Sequence, residues 1–559
     1  MKQDYIALMA RALTAYSDAH IHEYVERVKS EGLQEHGFPR LTANLGVLIT
    51  HGIREDLLPL FVEMMDLCCD EMAKGVKAAN EFSVREIVCC LLAVEEKGIV
   101  EKEKTDAWRA SLAKITPADC YNQVIDDPKA RNRNWILFGA VSEYARQMAG
   151  LADVQAYVDL CVEQQMQFLD ENGMYCDRKG SEMHQPVVYD MVSRGLFSVL
   201  FHFGYRGPHY EEIDQKLKKA ALMMLEMQSV TGEIPYGGRS HQFVNNEAWV
   251  ATIFEYEACR YVREGDLAMA KKFKAAAKQA VAVTRGWLDK DPIRHIKNRF
   301  PTETKYGCEP SSYFDKYMIT TASFLYAGYL MCDESLLVAK TPVDVPVVCR
   351  TSAYFHKCFL KYGDYFAEVD TDGDPNYDAS GLGRLHRRGA PSAIALSVPC
   401  PLNPVYTLDL PQRMAVSICP GIRVGGVWHF AAENGIRWEC TALSTVDDCA
   451  LAEFLCRFGE ETVNVGYMLD SHGLTVEVTG DDEVACLLPA FFFDGEKNAE
   501  IFFGDGNLIV CYEGWKCRYT TAGMIQNMNI MGGNRNGHYK AFIASAKRTV
   551  KVCVEICSM

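Results

Sequence analysis

The period of the hydrophobic pattern changes once along this chain, near residue 340, and no other feature restricts its fold as much. Upstream, the segments 57–72, 84–97, 135–148, 154–169 and 217–227 carry apolar residues at i, i+3, i+4 and i+7 with charged residues between them. That is the stripe of a helix with one buried face. Gly98, Gly150, Asn172 with Gly173, Gly232 and Gly307 punctuate these segments as turns. Downstream, 474–479, 499–503, 508–512 and 550–556 read as strands, separated by Gly, Asp and Asn, as in antiparallel ladders joined by tight turns. The chain is therefore expected to hold an all-helical domain, 1–340, followed by an all-β domain, 341–559.

Composition narrows the class. With 48% hydrophobic and 24% charged residues over 559 positions, the chain can bury large cores and is not a disordered, collagen-like or disulfide-stapled protein. A formal charge of -16 leaves no general basic face, so neither nucleic acid nor an anionic membrane is expected as a partner. The 22 cysteines form no CxxC. Pairs such as Cys68 and Cys69 or Cys89 and Cys90, and singles such as Cys161, Cys259 and Cys553, lie in apolar stretches and read as reduced core residues. The first residues lack the apolar stretch of a signal peptide, and no run of about 18 apolar residues occurs. These features point to a cytoplasmic protein. No phosphate loop, HExxH or GxSxG is present. Gly381 to Gly383 reads as a turn and His20 and His22 point to different faces of one helix, so neither a metal nor a cofactor is expected.

One unit recurs three times in the helical half: a Gly-containing turn with an aromatic, a polar stretch, then an apolar helix. It runs from 173–175 to Tyr189 and Asp190, from 232–236 to Asn246, Glu247 and Trp249, and from 306–309 to Tyr313. The intervals, about 60 and 75 residues, are the length of a helical hairpin plus a long loop. Such hairpins stack into a solenoid or close into a ring. In a ring, the starts of the inner helices converge on one face; in a solenoid they spread along a groove.

Chemistry is expected at these polar helix starts. Asn134 and Trp135, preceded by Arg131 and Arg133, set an indole beside amide and guanidinium groups, a combination suited to a sugar ring with its C–H face and hydroxyls. A capped helix with a solvated basic turn is the plainer reading. His184 and Tyr189 are candidates for proton transfer at a cleft mouth. Asp190 and Arg194 are i,i+4 partners, for which an ion pair competes with catalysis. Tyr236, Arg239, His241, Asn246 and Glu247 crowd polar groups before a strongly apolar helix, and Gly237 and Gly238 let the backbone approach a ligand. An elaborate capping network is the alternative. Glu309 and Tyr313 repeat the pattern with a carboxylate and a phenol.

On Asn134 and Trp135, Tyr189 and Asp190, 238–241, 309–313 and 381–386, the chain resembles bacterial carbohydrate-active enzymes that join an incomplete (α/α) toroid to an antiparallel β-sandwich. It looks similar to glycoside hydrolase family 154, which acts on β-glucuronides and β-galactosides, and more distantly to heparinase II/III-like and alginate lyases. The resemblance implies an α+β multidomain chain, an N-terminal (α/α) toroid of helical hairpins before a C-terminal antiparallel β-sandwich, and a carbohydrate partner. A hydrolase needs an acid on the leaving oxygen and a second carboxylate. Glu247 is the preferred catalytic group, with Glu309 or Asp190 as its partner and Arg239 with His241 gripping a uronate. The leading expectation is a glycosidase that removes a uronic acid or galactose residue.

The alternative is a uronate lyase, in which Asn134, His184, Arg239 or His241 neutralises the carboxylate and Tyr189 or His241 moves the proton. The lyases commonly carry Asn-His where this chain has Asn134 and Trp135. A glycan-binding scaffold without catalysis is the second alternative. Trp135, Tyr236, Asn246 and Tyr313 are assigned to substrate binding. The β domain can close the cleft in its own chain or in a neighbour's, which leaves a homo-oligomer open.

Overall fold

The computed structural model describes residues 1–126, 133–177, 186–301, 304–309, 313–338, 345–410 and 413–559. Fourteen helices are described in the first part: α1 (Lys2–Leu13), α2 (Asp18–Glu31), α3 (Gly37–Thr50), α4 (Leu58–Ala73), α5 (Val84–Lys97), α6 (Lys102–Leu112), α7 (Pro117–Cys120), α8 (Arg133–Met148), α9 (Gln155–Met166), α10 (Val187–His202), α11 (Tyr210–Met227), α12 (Asn245–Glu264), α13 (Leu267–Leu288) and α14 (Phe314–Met331). Local chemistry marks their ends. Ser17 accepts a hydrogen bond from the His20 amide at the start of α2, and Gly98 and Gly265 end α5 and α12 in the left-handed region.

Six helices form an inner ring. α3 packs on α5, α5 on α8, α8 on α10, α10 on α12 and α12 on α14, and α14 returns to α3. The resemblance implied an incomplete toroid; the α14–α3 contact closes it. α3 is buried at every residue, and α10, α12 and α14 over most of their length, because a helix packed all round has no side left for water. The outer helices, among them α1, α2, α6, α11 and α13, keep an exposed polar face. Inner helices alternate with outer ones along the chain, so they run in one direction and their N-termini emerge at one end of the ring.

The second part begins with β1 (Val347–Arg350), β2 (Lys357–Tyr362), β3 (Tyr365–Asp370) and β4 (Gly381–Arg387), an antiparallel four-stranded sheet in that order. An eleven-stranded sheet follows, built from β5 (Cys419–Val424), β6 (Val427–Phe430), β7 (Arg437–Val446), β8 (Cys449–Phe458), β9 (Glu461–Leu469), β10 (Leu474–Phe493), β11 (Glu500–Gly504), β12 (Asn507–Tyr512), β13 (Trp515–Thr521), β14 (Met524–Asn534) and β15 (Gly537–Ser558). β10 and β15 pair along most of their length, from Leu474 opposite Val554 to Phe493 opposite His538.

The small sheet is the middle layer of the molecule. Phe359 and Phe366 on one face join Met224, Met227 and Phe273 of the toroid. Leu360, Ala367 and Val369 on the other face join Phe454, Val465 and Tyr467 of the large sheet. β2 and β3 are accordingly buried on both faces, whereas β8 has one wet face and alternates.

Several expectations are corrected. Gly381 to Gly383 opens strand β4 and is not a turn; a side chain on Gly383 would stand 2.2 Å from Pro399 and 2.3 Å from the Tyr236 hydroxyl. All cysteines are free and most are buried, but Cys553 is exposed and Cys259 half-buried. The expected boundary at 340–341 lies outside the described residues; α14 ends at Met331 and β1 begins at Val347. No helix of the described residues is long and apolar enough to cross a membrane.

Candidate active site

The polar segment before α12 folds into a tight turn laid across the start of α10. Gly237 and Gly238 have φ of 120° and 68°, and Ser240 has φ of 70°. A side chain on Gly238 would meet Pro186, the residue before α10, at 2.9 Å, so glycine is required by both its conformation and its close approach. Three hydrogen bonds fix the turn. The Gly238 amide donates to Asp378 of the β domain at 2.6 Å, Asn246 donates to the Ser240 carbonyl at 2.8 Å, and His241 Nδ1 donates to the Gly238 carbonyl at 2.7 Å. Ser240 Oγ is thereby held 3.4 Å from the Tyr189 hydroxyl.

Arg239 projects from the exposed side of this turn. The Tyr189 hydroxyl beside it raises Arg239 above the ordinary guanidinium value, and Tyr317, Tyr377 and Glu309 lie within electrostatic reach. Burial, then Tyr189, raises Tyr317, whose ring stacks on Phe243 at 4.0 Å. Burial, then Glu309, pushes Tyr377 up to about 12. Both phenols therefore stay neutral near pH 7 and can donate hydrogen bonds. Glu309 forms an ion pair with Arg535, which also donates to the Gly307 carbonyl at 2.6 Å and lies 4.3 Å over the Tyr406 ring. Beneath them Arg40 of α3, buried and paired with Glu86 at 3.3 Å, is within reach of Tyr317. The candidate cleft is accordingly the region where Tyr189, Arg239 and Tyr317 of the toroid come within electrostatic reach of Glu309 and Tyr377, with Arg535 of the β domain bound to Glu309.

The other acids are placed differently. Asp190 is completely buried. Both its oxygens bind Arg194, at 2.8 and 2.7 Å, and one also accepts the Tyr175 amide at 2.6 Å. Burial raises it and Arg194 opposes the rise. One residue beyond Tyr189 is a rotation of about 100° on a helix, which turns Asp190 to a buried side of α10, against the loop that carries Tyr175. Glu247 is also completely buried and pairs with Lys297 at 2.6 Å; burial raises it against the pull of Lys297. Each of these two acids expected to serve catalysis is therefore engaged by a basic side chain, Asp190 by Arg194 and Glu247 by Lys297.

The remaining expected residues divide as follows. His241 is held far below its ordinary value by burial and by Arg535, and its Nε2 meets Gln242, so it props the turn as a neutral ring. Tyr236 is corrected from substrate contact to domain interface: it is 1% exposed, with Lys357 3.7 Å from its ring centroid and its amide on Glu368 at 3.1 Å. Asn246 serves the turn. Trp135 is half-buried and edge-on to Phe82 at 4.7 Å, not the exposed indole expected. Asn134 is buried at the start of α8, its amide on Asp177 at 3.2 Å. Tyr313 is 63% exposed before α14, with Lys316 5.8 Å over its ring. His184 and Arg131 lie outside the described residues. Sequence reasoning missed Arg40, Ser240, Tyr317, Tyr377 and Arg535; a basic residue in the hairpin turn 534–537 was the available signal for the last.

No protein-family model matches the chain, and no curated protein matches it in sequence. Solved structures do. A mutant of heparan sulfate lyase HepC from Pedobacter heparinus superposes with a TM-score of 0.51 at 9% identity, covering 94% of this chain and 76% of the lyase. A Streptomyces coelicolor chondroitin AC lyase mutant gives 0.45 at 11% identity over 98% and 82%, and a Bacteroides vulgatus glycosyl hydrolase family 88 protein 0.37 at 13% over 59% and 98%. The chain has a toroid-plus-sandwich fold. At these identities the likeness extends to architecture alone.

Proposed function

We propose that the cleft breaks a uronate-containing glycan by β-elimination, with Tyr189 as the proton-transfer group. The observation that carries this reading is the pairing of a half-buried Tyr189 with Arg239 in a cleft lined by phenols, while Asp190 and Glu247 are locked in buried ion pairs. Hydrolysis needs two accessible carboxyl groups about the scissile bond. Elimination does not. A base takes the C5 proton, its electron pair forms the C4–C5 double bond, the C4–O bond breaks and the leaving oxygen takes up a proton; no water is consumed. The C5 proton becomes acidic enough when the adjacent carboxylate is neutralised, and an arginine can do so bidentately. Arg239 has that role, with the Asn134 amide as a second candidate. Tyr189, starting as the phenolate beside the Arg239 guanidinium, is suited to taking the C5 proton and, as the phenol so formed, giving it to the leaving oxygen, which restores the phenolate. The fold likeness to a protein named as a heparan sulfate lyase is in keeping with this chemistry, which displaces the glycosidase expected from Glu247.

Incubation with heparan sulfate, chondroitin and a polyuronide tests the reading. The ultraviolet absorbance of an unsaturated uronate is expected to rise with one of them and to fall roughly 10²–10⁴-fold in Tyr189→Phe. New reducing ends without that absorbance would establish hydrolysis instead.

A further inference from the structure

A cavity of about 470 Å³ opens in the β domain on the far side of the loop that carries Tyr377. Arg350 from the end of β1, Arg437 and Trp438 from the start of β7, and Ser352 and His356 from the β1–β2 connection line it. Its volume is within the roughly 300–1,000 Å³ of small-ligand sites.

Among the described residues, neither the Arg350 nor the Arg437 guanidinium forms an ion pair or side-chain hydrogen bond, and both residues are exposed. His356 lines it too: burial works against the charge of its imidazole, while the Asp370 carboxylate it pairs with holds it above the ordinary value. Three acids line it as well. Asp378 accepts the Gly238 and Asp374 amides, both at 2.6 Å, Glu433 accepts the Phe430 amide at 2.9 Å, and Asp372 is exposed. Ser352 Oγ is buried and makes no hydrogen bond among the described residues. Trp438 commits its indole N–H to the Ala431 carbonyl at 3.0 Å, which leaves its carbon edge to the cavity.

Unpaired guanidinium groups, an unsatisfied hydroxyl and an aromatic carbon surface are complementary to a ring that has both an anionic substituent and a C–H face. We propose that this cavity is a second carbohydrate site, for a sugar bearing a carboxylate or sulfate group, held by Arg350 and Arg437 against Trp438. Only the choice of sugar as ligand class rests on the function proposed above. The loop 371–378 forms the shared wall, so an occupant also braces Tyr377 and the Asp378–Gly238 hydrogen bond.

The test is calorimetric titration of the full chain with glucuronate, glucose 6-sulfate and glucose, in wild type, in Tyr189→Phe/Arg239→Ala and in Arg350→Ala/Arg437→Ala. Saturable binding of an anionic sugar is expected in the first two, with at least a tenfold loss in the third and no binding of glucose; which anionic sugar binds identifies the substituent. Absence of saturable binding by either anionic sugar overturns the proposal. So does binding abolished by Tyr189→Phe/Arg239→Ala and retained by Arg350→Ala/Arg437→Ala. A retained thermal midpoint confirms that each variant folds. Elimination activity is read through Tyr189 and does not depend on this result.

Discussion

Tyr189 and Asp190 are consecutive residues on α10, yet one is half-buried beside Arg239 at the candidate cleft and the other is completely buried against Arg194. The two regions use polar groups for opposite ends. In the interior, Asp190 binds Arg194 through both its oxygens, and Glu247 binds Lys297 through one, its second oxygen having no hydrogen-bond partner among the described residues. At the mouth, Tyr189, Arg239, Tyr317 and Tyr377 stay partly open and act on one another through electrostatics more than through closed hydrogen bonds. Density of charged residues in the sequence therefore does not separate the candidate site from the buried interior. The rotation of each residue about its helix decides.

That contrast breaks first at Tyr189. Tyr189→Phe is expected to lower elimination roughly 10²–10⁴-fold with an unchanged melting temperature; equal losses of activity and stability would return Tyr189 to the structural class. Asp190→Ala is expected to do the reverse. Leaving Arg194 buried and unpaired costs about 3–5 kcal/mol, read as a lower urea midpoint, and the remaining folded protein keeps its specific activity. Arg535→Ala removes charge-assisted hydrogen bonds worth about 1.5–3 kcal/mol and is expected to reduce turnover by loosening Glu309 and the β-domain wall; undiminished turnover would confine the site to the toroid. His241→Asn sharpens the comparison through pH. Folded His241 is neutral, so the unfolded chain alone takes its proton below about pH 6.5. Its contribution is present above that pH and lost as pH falls, at up to about 1.4 kcal/mol per pH unit. His36 and His386 are depressed in the same sense, so urea midpoints of the variant between pH 7.5 and 5.5 should show a shallower slope than wild type, not a flat one.

The architecture was legible because it is written in periods. The 3.6-residue pattern of 84–97 coincides with α5, whereas the recurrence of polar helix starts fitted a ring and a solenoid equally, and the helix contacts decide for the ring. The site itself was legible only on the toroid side. Tyr377 and Arg535 come from loops of the β domain, and nothing local in 371–378 or 534–537 states that they meet Glu309. The position of Glu247 at a helix start is shared by functional and buried acids, and its neighbour Lys297 is 50 residues away. Tyr236 misled because the Lys357 and Glu368 that enclose it lie beyond the predicted domain boundary.

The hairpin tip at Arg535 has a consequence for how such chains diversify. Its amino acid reaches back to Gly307 and Glu309, and Asp378 reaches back to Gly238, so the two halves are not interchangeable modules. A sandwich transplanted from a relative would fold and dock through its apolar middle sheet, yet would leave the toroid's loops without their braces unless it brought an arginine and an aspartate at those two tips. Recombination at the junction is thereby penalised, and new specificities are more readily reached by substitution within the paired loops than by exchange of domains.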